Sequence, residues 1–67
     1  MTEYETKVRA IVQQAMLENA CVYVVTQVAG GKEKPASWRN QHVFVTASGE
    51  LIDIRDVLMI RFLGDKQ

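Results

Sequence analysis

The chain has little of what most often signals a function. Its 67 residues include one cysteine, one proline, one tryptophan and one histidine, and its eight basic and eight acidic side chains cancel. A lone cysteine excludes an internal disulfide. Together with the lack of a basic-then-apolar leader, it sets the expectation of a cytoplasmic protein. No apolar stretch approaches the roughly 20 residues of a membrane-crossing helix, so no membrane partner is expected. Zero net charge argues against strong non-specific polyanion binding and leaves only local basic patches to consider. Gly30-Gly31 is followed by Lys-Glu rather than the Lys-Ser/Thr and helix of a phosphate-binding loop. With so few metal-ligating side chains, neither metal nor other cofactor is expected.

What is present is β-forming. The stretch HVFVTASGELIDIRDVLMIRFL, from His42 to Leu63, concentrates branched and aromatic residues. Val43, Val45, Ile52, Ile54, Val57, Ile60 and Phe62 recur at mostly two-residue spacing, the period of a half-buried strand. Ala47-Ser48-Gly49-Glu50 interrupts them with a residue able to take positive φ, which predicts an antiparallel hairpin of His42–Thr46 against Leu51–Ile54. Arg55-Asp56 breaks the alternation, as a bulge or a single helical turn does. Segment 57–63 is short and ends at Gly64, so it reads as a strand. Ile54, Val57, Leu58 and Phe62 also fit a helical stripe, which keeps the rival reading open.

Upstream, Thr2-Glu3-Tyr4-Glu5 matches the S/T-x-x-E capping box. Tyr4, Val8, Ile11, Val12, Ala15 and Met16 follow at helical spacing, and Asn19 suits a left-handed C-cap, so a helix is predicted over 3–18. Segment 21–28 reads as a strand covered on both faces. Residues 29–41 are polar and contain Pro35, which a strand tolerates only at an edge or bulge. They are read as a loop, with a short edge strand around 36–38 as the alternative. The last residues, 64–67, form a polar tail. Burial is expected from Val8, Ile11, Val12, Val24, Val45, Ile52, Ile54, Val57, Ile60 and Phe62.

Few residues invite chemistry. Cys21 and His42 lie on strands rather than in an exposing loop, so a buried thiol and a solvated histidine outweigh a nucleophilic pair. Asp53 and Asp56 read as a solvated turn rather than a general acid and base. No catalytic residue is assigned, and the chain is not expected to be an enzyme. The most suggestive constellation is Trp38 with Arg39, Asn40, Gln41, Lys32 and Lys34. Such a set stacks on bases and meets phosphates, serves as a protein-binding hot spot, or folds back to cap a small core. All three readings stand.

Val22–Val28 followed by Gly30-Gly31, and then Val43–Phe62 with its I-x-I-x-D-V-x-x-I segment at Ile52–Ile60, resemble the small Sm-like barrels. The Rho-binding antiterminator-type barrels share that layout. The resemblance implies an N-terminal helix lying across a bent sheet, with Ile54–Val57 as the tight turn before the closing strand. It carries no functional residues across.

The expectation is therefore one α+β domain over 1–67. Its N-terminal helix packs on a small, strongly bent, mostly antiparallel sheet of 3–5 strands, an SH3- or Sm-like barrel, with an open αβββ meander as the alternative. A chain this short buries only about 60% of its unfolded surface, so self-association is expected. Function is expected to be that of a regulatory or adaptor module making protein contacts, homo-oligomer included. An RNA-binding barrel using the Trp38 loop is the alternative.

Overall fold

The helix α1 spans Glu3–Glu18 in the computed structural model, which describes residues 1–64; the tail residues 65–67 lie outside it. Both ends of α1 are chemically closed. The Thr2 hydroxyl accepts from the Glu5 N–H at 3.1 Å, and the Glu5 carboxylate accepts from the Thr2 N–H at 3.2 Å. At the other end Asn19 takes φ 56° and ψ 45°, while the N–H of Ala20 donates back to the Ala15 carbonyl at 2.8 Å. This six-to-one bond satisfies a carbonyl that the helix leaves unpaired, and it brings Ala20 onto Ala15 as an apolar stop.

Strands β1 (Cys21–Thr26), β2 (Gly30–Glu33), β3 (Pro35–Trp38), β4 (Val43–Thr46), β5 (Leu51–Asp53) and β6 (Val57–Gly64) follow, with a 3₁₀ turn at Ile54–Asp56 before β6. They form two three-stranded antiparallel sheets, ordered β2-β1-β6 and β3-β4-β5. Among the described residues the strands close no barrel, so the single bent sheet of 3–5 strands is replaced by two sheets.

The segment read as a loop, 29–41, instead holds two strands, of which β3 takes the place of the alternative edge strand around 36–38. Its pattern hid them because the positions turned inward are Gly31, Glu33 and Pro35, which give no apolar alternation. Only Lys34 separates β2 from β3, and Pro35 opens β3, where its missing N–H costs least. The strand expected over 21–28 stops at Thr26. There the Thr26 hydroxyl accepts from the N–H groups of Val28 and Ala29, and the Thr26 N–H donates to the Ala29 carbonyl at 2.7 Å, turning the chain. Val28 is left 93% exposed. Segment 57–63 is strand, and the polar break before it is a helical turn.

One core lies under the helix and joins both sheets. Val8 and Val12 of α1 pack with Val24, Phe44, Ile54 and Val57, flanked by Met16, Trp38, Ile52 and Ile60. Ala15, Ala20 and Val22 extend it toward the end of α1. On β4 the inward face is opposite to the expected one: Phe44 and Thr46 are buried, Val43 and Val45 only half so. The larger ring takes the inner position, since burying a Phe side chain contributes about 1.5–3 kcal/mol. Ile11, Ile52 and Ile60 are half-buried, whereas Phe62 and Tyr4 stay exposed, at 38% and 46%. Buried Thr46 is fully engaged: its hydroxyl accepts from the Glu50 N–H at 3.1 Å and contacts the Ser48 hydroxyl.

Candidate binding surfaces

Trp38 ends β3 and pairs with Phe44 across the β3–β4 hairpin. The two rings meet edge to face, with centroids 5.9 Å apart and planes at 76°. The indole Nε1 donates to Gln13 Oε1 at 2.8 Å, and the Arg9 guanidinium sits 4.1 Å from the ring centroid. Arg9 also donates through Nη1 to the Gln41 carbonyl at 2.7 Å. The ring is thus held on three sides by its own chain. A cation over an aromatic face is worth about 0.5–1 kcal/mol at a surface site, and the indole hydrogen bond adds about 1 kcal/mol.

The following turn is built by Asn40. Its side-chain carbonyl accepts from the N–H groups of His42 at 2.8 Å and Val43 at 3.0 Å, while the Arg39 N–H donates to the Val43 carbonyl at 2.8 Å. The side chains of Arg39 and Gln41 point to solvent. The fold therefore gathers Trp38, Arg39, Asn40 and Gln41 into one turn and adds Arg9 and Gln13 from α1. The contribution of those two helix residues had no signal in the sequence, because it depends on how α1 crosses β3. Lys32 and Lys34 sit elsewhere: Lys34 lies at the opposite end of β3, and its carbonyl accepts from the Ala47 N–H at 2.8 Å. The six-residue constellation is not one site.

Lys32 belongs to a different surface. On the central strand β1, Tyr23 stands directly opposite Lys32 of β2 and directly opposite Arg61 of β6. Directly opposed residues share a sheet face, so Tyr23, Lys32 and Arg61 form one row across the side turned away from the core. Val25 with its partners Gly30 and Met59 occupies the next row. Tyr23 is 40% exposed and Met59 44%.

A groove of about 560 Å³ opens between the sheets, lined in part by Val24 and Ile52 and by the carboxylates Glu33, Glu50, Asp53 and Asp56. Gly31 lines it too, and a methyl group built there would meet nothing within 4 Å. Burial and the neighbouring Glu50 carboxyl raise the Glu33 acid above its ordinary range. Asp53 behaves oppositely: it caps the 3₁₀ turn by accepting from the Arg55 N–H at 2.8 Å, and its ion pair with Arg55 closes to 2.7 Å. The Arg55 hydrogen bonds hold that carboxyl below its usual value. Asp53 is a cap, which agrees with its reading as a turn residue.

Cys21 opens β1 in one sheet, and His42 immediately precedes β4 in the other. Among the described residues no three His, Cys, Asp or Glu side chains are grouped to hold a metal ion, and no helix is long and apolar enough to cross a membrane.

No protein-family model matches the chain, and comparison with curated proteins and with solved structures finds no match. The fold defines a small α+β protein of two antiparallel sheets under one helix.

Proposed function

We propose that this protein is a non-enzymatic interaction module of regulatory or adaptor type that associates with a second copy of itself through β6. The observation that carries the reading is the position of β6. It is eight residues long, stands at the end of its sheet with β1 as its one strand neighbour among the described residues, and leaves Leu58 and Met59 59% and 44% exposed. The outward edge of such a strand, here over residues 58–62, offers backbone groups as a template for another strand. Antiparallel pairing of two β6 edges about a two-fold axis is isologous and self-limiting. It joins two three-stranded sheets into one of six strands and adds the burial that so short a chain lacks.

The Sm-like resemblance is compatible with this reading. The two sheets are joined only through Lys34 between β2 and β3, and a 3₁₀ turn precedes β6, which supports an opened-out relative of such barrels. The Trp38 turn is the weaker contact surface, because Arg9, Gln13 and Phe44 already engage its ring.

Light-scattering chromatography over a concentration series tests the proposal. Twice the monomer mass is expected at high concentration, at both low and high salt, since the contact is apolar and backbone-mediated. Leu58→Lys places a charge on the edge and shifts the protein toward monomer. A wild-type chain that stays monomeric throughout sinks the proposal.

A further inference from the structure

We propose that the outer face of the β2-β1-β6 sheet is a docking platform for single-stranded nucleic acid, with Tyr23 as the stacking surface and Lys32 and Arg61 as phosphate contacts. The register carries this. Tyr23 has a cation directly opposite it on each neighbouring strand, so the row reads Lys, Tyr, Arg across the sheet. Adjacent strands lie about 4.8 Å apart, which sets both cations beside the ring rather than at a remote edge. Single strands are bound by this combination of an exposed aromatic face and cations that track the backbone.

The neutral net charge does not oppose this, because the fold sorts the charges. Glu3, Glu5 and Glu18 are on α1, and Glu33, Glu50, Asp53 and Asp56 line the groove. Among the described residues the register puts only Lys32 and Arg61 as charged groups on the outer face of this sheet. Charge complementarity therefore selects a polyanion there, and Tyr23 with Val25 and Met59 beside it selects one that presents flat, apolar bases. A duplex keeps its bases stacked inside and offers no face to Tyr23, so the occupant is a single strand. The platform does not depend on pairing at the β6 edge, which extends the sheet sideways and leaves this face open.

The test is fluorescence anisotropy of a labelled oligouridine of about eight nucleotides, a length that a small single-strand fold spans. Wild type is compared with Tyr23→Leu, Lys32→Gln and Arg61→Gln, each checked for an unchanged far-UV spectrum and melting temperature. Tyr23→Leu keeps an apolar strand residue and removes the ring, and is expected to weaken binding at least about fivefold. Two phosphate contacts give a log–log salt slope of about −1.4 on a single strand, falling to about −0.7 in either cation variant. Arg39→Gln, in the Trp38 turn, is expected to change nothing. Absence of binding at millimolar protein overturns the proposal. So does binding that ignores Tyr23→Leu, or that is lost in Arg39→Gln while Arg61→Gln retains it. If oligouridine does not bind but Tyr23→Leu lowers the solution mass, the face is a contact between copies instead. Because mass and anisotropy are read separately, failure of the platform and failure of the β6 edge are distinguishable.

Discussion

Trp38 is a side chain whose role its neighbours in sequence leave open, between an exposed anchor and a cap on the core. The groups that hold its ring are Arg9, Gln13 and Phe44, which come from α1 and β4, and the ring packs on the core as the capping reading has it. The energetic consequence is separable. Trp38→Phe keeps a ring against Phe44 but leaves Gln13 without the indole N–H, and Gln13 is exposed enough to turn to water. A loss of about 1 kcal/mol is expected, the worth of one hydrogen bond. Trp38→Ala also removes the packing against the core and the surface under Arg9, and a loss of about 2–3 kcal/mol is expected, below the cost for a fully buried ring. Urea unfolding of both variants checks this. Equal losses would mean that the hydrogen bond, not the packing, sets the role of Trp38.

At the scale of elements, the β4–β5 hairpin is the piece most completely encoded by local sequence. Gly49 adopts φ 95°, its N–H donates to the Thr46 carbonyl at 2.9 Å, and the Thr46 N–H donates to the Glu50 carbonyl at 2.8 Å. A side chain at Gly49 finds open space but an unfavourable backbone, so Gly49→Ala is expected to cost about 1–2 kcal/mol of conformational strain. Gly31→Ala, also without a steric neighbour but not at positive φ, is expected to cost less than about 0.5 kcal/mol. Thermal melts of the two variants separate conformation from packing. The same contrast explains what was legible. The capping box at Thr2 and Glu5, the stop at Asn19, and the turn at Gly49 are satisfied by bonds within a few residues, and the sequence displays them. β2 was not legible and β3 only as the alternative edge strand around 36–38, because both exist through pairing with β1 and β4 while their inward positions include Gly31, Glu33 and Pro35. The inward choice of Phe44 over Val45, and the row of Lys32, Tyr23 and Arg61, are likewise properties of register. Periodicity within one strand cannot contain them.

For the molecule as a whole, the two sheets meet at the groove through like charges. Glu33 belongs to β2 in one sheet, and Glu50 directly precedes β5 in the other. Asp53 and Asp56 line the same groove, with Asp53 neutralised by Arg55. Burial, and then the adjacent Glu50 carboxyl, make Glu33 hold its proton more tightly in the folded chain than in the unfolded one, whose reference is 4.5. An acid raised in this way contributes stability that is fully present below 4.5 and is lost as pH rises through its folded-state value. Asp53 has the opposite sign: its lowered pKa contributes stability above the unfolded 3.8 that disappears as pH falls through the folded-state value. The two windows lie on either side of pH 4, so they separate in a titration. Glu33→Gln is expected to stabilise the protein at pH 7 on the order of 0.5 kcal/mol, the scale of partly exposed charge pairs. It should also remove the decline in stability on the alkaline side of 4.5 while leaving the acid limb intact. Asp53→Asn should do the reverse, flattening the acid limb and destabilising at neutral pH through loss of the Arg55 ion pair, while the amide oxygen still caps the turn. Urea midpoints collected from pH 3 to 8 decide it. If Glu33→Gln leaves the slope above 4.5 unchanged, the contact between the Glu33 and Glu50 carboxyls does not weigh on the junction of the sheets.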